Sequence, residues 1–175
     1  LGGGWSNAFG INAAGQVVGY SGIGDSAYHA FITGPNGKSM TDLGTLGGGW
    51  SNAFGINAIG QAVGYSDIGD GSYHAFITGP NGAGMTDLGT LGGGDYSTAR
   101  GINASGQVAG YSSTADGLFH AFITGPNGVG MTDLGTLGGG ASYAAGINDA
   151  GQVTGYSFTA DGTRHAFITG PNGTG

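Results

Sequence analysis

The residues of this chain best suited to chemistry are four histidines, His29, His74, His120 and His165, separated by 45, 46 and 45 residues. Each opens a His-Ala-Phe triplet, and an aspartate recurs downstream of the first three, at Asp42, Asp87 and Asp133. An imidazole facing a carboxylate can act as an oriented general base. Imidazoles gathered about a common axis could instead hold a transition metal. Both readings meet the same objection: a group present in every copy of a repeat serves the unit first, whereas a site usually draws on positions where copies differ. The expected role is therefore a hydrogen bond from each histidine to Asp or backbone, tying strands of one unit together, because buried polar groups need partners.

The histidines are one mark of a repeat that runs through the whole chain. Leu-Gly-Gly-Gly begins at Leu1 and returns at Leu46, Leu91 and Leu137, dividing 175 residues into units 1–45, 46–90, 91–136 and 137–175. The one extra residue of the third unit falls between Asp95 and Arg100. A period of this length marks a solenoid, propeller or array, in which one unit cannot bury a core alone.

Within a unit the punctuation is that of hairpins. In the first copy Ala8 to Asn12 alternates large and small residues, Asn12-Ala13-Ala14-Gly15 forms a turn, and Gln16 to Ser21 returns. The Asn side chain can cap such a turn, and the closing Gly can take positive φ. A variable loop leads to His29–Thr33, then Gly34-Pro35-Asn36-Gly37 turns the chain into a fourth strand, Met40 to Leu46. Four antiparallel strands per unit predict an all-β fold of propeller-like blades, with a β-solenoid or extended array as the alternative. The fourth unit stops at Gly175, before its Met-Thr-Asp-Leu strand. The missing strand leaves an edge that other copies of the chain or neighbouring repeats could fill. Because the chain begins and ends inside a repeat, the expectation is a window onto a longer protein.

Composition agrees with short strands and excludes several classes. There are 44 glycines, all ten acidic residues are Asp, and only 7% of residues are charged, against about 25% in typical domains. The net charge of -7 disfavours nucleic acid, since three Lys and Arg cannot form a phosphate-neutralising surface. No apolar run approaches the roughly 20 residues of a membrane span. With no cysteine there is neither a disulfide framework nor a thiolate site, and no cofactor is expected. Phe31, Phe76, Phe122 and Phe167, with Ile32, Ile77, Ile123 and Ile168, are expected to pack between stacked sheets.

The copies differ most in the loop before each His-Ala-Phe, where Asp25, Asp70, Asp116 and Asp161 recur. Asp67 with Asp70 makes a weak calcium pair, but a full D-x-D-x-D-G ligand loop is missing, and turn capping is the favoured reading. Trp5 and Trp50 follow the glycines in the first two units only. With Tyr28, Tyr73 and Phe119 they could form a loop-borne aromatic platform for sugars. The competing reading has each Trp capping the seam between units. No Gly-x-Ser-x-Gly elbow, Walker lysine or Gly-x-Gly-x-x-Gly unit accompanies the glycine runs, so no enzyme site is expected.

The ordered set Gly-Ile-Asn-x-x-Gly-Gln, Gly-Tyr-Ser, His-Ala-Phe and Met-Thr-Asp-Leu-Gly-Thr-Leu-Gly-Gly resembles the HAF repeat of bacterial proteins. The resemblance covers essentially the whole chain. It implies a location outside the cell or at its surface, and it brings no catalytic residues to carry over. The leading expectation is an exported, non-enzymatic structural or adhesive element that assembles into arrays or filaments. A carbohydrate-binding propeller using the loop aromatics is the alternative, and a propeller hydrolase with its site outside this segment is the third.

Overall fold

The computed structural model describes residues 1–24 and 26–175. The first unit contains β1 (Ser6–Ile11), β2 (Val17–Gly22), β3 (Tyr28–Thr33) and β4 (Met40–Gly44). The second contains β5 (Ser51–Ile56), β6 (Ala62–Asp67), β7 (Tyr73–Thr78) and β8 (Met85–Asp87). β9 (Ser97–Ile102), β10 (Val108–Ser113), β11 (Phe119–Thr124) and β12 (Met131–Asp133) form the third, and β13 (Gly138–Ile147), β14 (Val153–Thr159) and β15 (Arg164–Ile168) the fourth. Within each unit the strands pair antiparallel in chain order.

The protein is all-β, with three sheets of four, four and seven strands, none closed. The seven-stranded sheet joins the third and fourth units through a single parallel pair, Phe119 with Ala141. The same position is bridged between the earlier units, Tyr28 to Trp50 and Tyr73 to Tyr96. The larger sheet therefore arises because β13 begins early, in its glycine run, and makes that shared bridge part of a continuous strand. The fourth strands are shorter than the seven residues expected from Met40 to Leu46, since Gly44, Gly89 and Gly135 take positive φ and turn the chain out of the sheet.

Turn chemistry accounts for the hairpins. The Asn12 side chain accepts hydrogen bonds from the Ala14 and Gln16 amides at 3.1 and 3.0 Å, and Gly15 supplies φ of 70°. Pro35 sets φ for the second turn, while Asn36 occupies the left-handed region that few other side chains tolerate. One glycine is needed for close approach instead. β1 and β5 carry a bulge after their third residue, and a Cβ on Gly64 would overlap the Asn52 carbonyl oxygen across it.

Alternation along the third strands sends neighbouring residues to opposite seams. Ile32 packs toward the second unit, where it meets Phe76, Ala53 and Ala62. Ile77 meets Phe122 at the next seam, and Ile123 meets Phe167 at the last. The Phe and Ile of one third strand thus serve different cores, and each seam takes Ile from one unit and Phe from the next. Leu46 and Leu91, which open the glycine runs, fill the same seams.

A polar ladder crosses these seams at the turn-bearing end of the sheets. The Asn12 side-chain amide donates to the Asn57 carbonyl at 3.1 Å, Asn57 to Asn103 at 3.2 Å, and Asn103 to Asn148 at 3.1 Å. The Gln of each of the first three units adds a second rung, reaching the Asn of the next unit's Pro-Asn-Gly turn: Gln16 to Asn81, Gln61 to Asn127 and Gln107 to Asn172. Each of these Asn amides also donates to the Gln of its own unit, so the ladder ties the turn of one unit to the backbone of the next and helps fix how units stack.

Candidate functional site

The histidines lie on the third strands, and the fourth strands place carboxylates beside them. His29 Nδ1 sits 2.9 Å from Asp42, His74 2.9 Å from Asp87 and His120 2.8 Å from Asp133. Each Asp also accepts a backbone N–H from the glycine two residues on, at 2.7 Å. The carboxylate therefore joins two strands and holds the turn that ends the sheet. Among the described residues no hydroxyl is hydrogen-bonded to these three imidazoles, and no three His, Asp, Glu or Cys side chains gather where a metal could sit. His165 belongs to the unit without a fourth strand and instead contacts the Thr163 hydroxyl at 3.1 Å.

The loop aspartates are engaged with backbone. Asp67 accepts from the amides of Gly49 at 3.1 Å and Gly69 at 2.8 Å, and Asp70 accepts from Ser72 at 2.9 Å. That Ser72 hydrogen bond holds the Asp70 carboxyl below its ordinary range. Asp161 is held lower, at about 2, first by the Thr159 hydroxyl and then by Thr163. Asp25 lies outside the described residues.

The aromatic residues named from sequence converge at the other end of the sheets, opposite the Asn turns. Antiparallel order brings the start of β1, the end of β2 and the start of β3 to this end, so each unit presents rings there. Trp5 lies 6.0 Å from Tyr28, and both pack on Tyr20, at 5.3 and 5.0 Å. In the second unit Trp50 stacks on Tyr73 at 6.5 Å, and its indole N–H donates to the Ser26 carbonyl of the first unit at 2.9 Å. Phe119 meets Tyr96 at 5.9 Å and Tyr143 of the fourth unit at 6.0 Å.

These clusters are continuous across the seams. Phe9 touches Phe54 at 5.5 Å, the Tyr28 and Tyr65 hydroxyls are 3.2 Å apart, Tyr65 lies 6.4 Å from Tyr96, and Tyr111 lies 4.9 Å from Tyr143. One aromatic strip therefore runs the length of the array. Burial, followed by the hydrogen bond to Tyr65, pushes the Tyr28 phenol well above its ordinary value. Burial and Tyr111 do the same to Tyr96. Phe9, Trp5 and Trp50 remain exposed. Trp50 combines both sequence readings, since it spans a seam and keeps an open face.

Sequence reasoning missed the tyrosines of the Gly-Tyr-Ser motif, which link the loop rings into a strip, and it missed Arg100. Arg100 occupies the position of Phe9 and Phe54. Its guanidinium lies 4.3 Å over the Phe54 ring, and Nη2 donates to the Tyr111 hydroxyl at 3.2 Å. A second guanidinium, Arg164, covers Tyr156 at 4.9 Å. Beside Arg100 a groove of about 400 Å³ is lined by Tyr111, Tyr143, Ala144, Ala145 and Tyr156. The surface can stack flat faces and offer charged donors to them. No protein-family model and no curated protein matches the chain.

Proposed function

We propose that the chain is a HAF-type repeat protein, exported to the cell surface or beyond, whose propeller-like blades build a non-enzymatic structural or adhesive scaffold. The observation that carries this reading is the seam that the described units make three times with the same residues. Ile32, Ile77 and Ile123 are 2–3% exposed within seams, whereas the equivalent Ile168 is 68% exposed. At the opposite end Ile11 is 70% exposed, although Ile56, Ile102 and Ile147 at its position pack into seams. The outer faces of the first and fourth units thus present the two halves of the seam that the described units make three times. β15 adds an outer edge that no described strand pairs. Neighbouring repeats or a second copy stacked head to tail would cover each face, and heterologous contacts between copies build rings or filaments. Blade-like geometry is supported by the first strands, β1, β5, β9 and β13, which pack on one another in succession.

Sedimentation across a concentration series tests the scaffold. The mass should grow with concentration, with rings or filaments visible by electron microscopy, and Ile168→Asp should hold the protein as a monomer. A chain that stays monomeric at high concentration refutes stacking. The aromatic strip supports a second activity, carbohydrate binding, because exposed rings along one face suit the apolar faces of sugars.

A further inference from the structure

Three departures of the last two units from the repeat meet at one groove. The position that holds Phe9 and Phe54 in the first two units holds Arg100 in the third and Ala145 in the fourth. Alanine there leaves open the space that a ring or guanidinium fills elsewhere, and Ala145 lines the groove. The third departure is Tyr143, which stands where the other units have Asn7, Asn52 and Thr98. It stacks on Tyr156 at 5.0 Å and 28° while meeting Tyr111 edge-on at 4.9 Å and 70°. The groove therefore has a ring wall, a small-residue floor and one cation.

That cation has no acidic partner. The chain has ten Asp against three Lys and Arg, and the ion pairs among the described residues are all His–Asp. A guanidinium has five N–H donors, and Arg100 makes one side-chain hydrogen bond, to Tyr111. Stacking on Phe54 orients the planar fork, which suits it to hold a carboxylate through two parallel hydrogen bonds. No carboxylate lines the groove.

We propose that this groove binds an acidic polysaccharide, with Arg100 taking the carboxylate of a uronate and the wall of Tyr111, Tyr143 and Tyr156 bounding its sugar ring over Ala145. The proposal rests on the carbohydrate-binding reading of the strip and assigns its ligand class and anchor. Calorimetric titration with oligogalacturonate and with its fully methyl-esterified form separates the two levels. Uronate should bind at least about tenfold more tightly than the ester, the ratio expected for one charge-assisted contact. Arg100→Phe restores the residue of the first two units and should abolish that preference. Ala145→Phe fills the groove as Phe54 fills its counterpart and should weaken both ligands. Lys38→Ala, which removes the same charge at the far end of the sheet, should change neither. Equal binding of ester and acid overturns the acidic assignment and leaves carbohydrate binding standing; binding of neither overturns both. A loss in K38A as large as in R100F means diffuse attraction and also overturns the proposal. Circular dichroism of each variant checks that it folds, and R100F and A145F perturb different residues of the groove.

Discussion

Truncating one isoleucine at two repeat-equivalent positions measures a seam directly. Ile77 is 3% exposed and packs with Phe122 and Leu91 between the second and third units. Ile77→Ala removes its buried carbons and leaves a cavity, at a cost of about 2–5 kcal/mol. Ile168 has the same flanking residues, Phe167 and Thr169, but is 68% exposed because no described unit packs on it. About a third of its burial remains to be lost, so Ile168→Ala should cost about 0.5–1 kcal/mol on the usual scale for a buried aliphatic side chain. Urea unfolding at low protein concentration, where end faces stay uncovered, reads both. With a slope of about 2 kcal/mol per molar, Ile77→Ala should lower the midpoint by about 1–2.5 M, and Ile168→Ala by about 0.5 M or less. Equal midpoint losses would show that the isoleucine stabilises its own sheet, and the account of the seam as a shared core would be wrong.

The polar ladder yields a matched pair. Asn57→Ala strips partners from the Gln61 side chain, the Asn103 carbonyl and two turn amides, and should cost about 2–3 kcal/mol. Asn148→Ala, at the exposed end of the ladder, should cost less than about 1 kcal/mol, and thermal melts compare the two. For the loop at Thr159–Thr163, Asp161 should titrate near 2 by carboxyl NMR, against an ordinary value of 3.8. Its folded pKa is depressed, so its contribution is present above the unfolded value and is lost as pH falls from about 4 through about 2; a midpoint near 3.8 would mean that the Thr159 and Thr163 contacts do not persist in solution.

The local parts of this fold are legible because their causes are local. Pro35, Asn36 and Gly37 encode their turn in three adjacent residues, and Asn12 caps the other from four residues away. The partition of Phe31 and Ile32 is also readable, since neighbours on a strand face opposite ways. Non-local features are harder. The Gln16–Asn81 rung joins side chains 65 residues apart, and the aromatic strip depends on how one unit is set against the next, which no single unit's pattern contains. Arg100 was accessible in principle by aligning the units, since it breaks the Phe9 and Phe54 column. The His–Asp pairs could be anticipated from spacing, but Asp42 is half-exposed, so they clasp an outer edge and add little to the interior.

The seam of Ile from one unit and Phe from its successor bears on how such a gene can change length. Because every unit offers the same donor face and the same acceptor face, an in-frame duplication of one 45-residue block creates a junction chemically identical to those already present. No new surface has to evolve with it. Deletion of a block rejoins the same two faces. The third unit's additional residue shows the tolerance of the scheme, since it sits in the loop around Asp95 and leaves the Ile77–Phe122 contact in place. Unequal recombination could therefore lengthen or shorten the scaffold in whole units within a population, while selection on ligand chemistry acts on single columns such as the one holding Arg100.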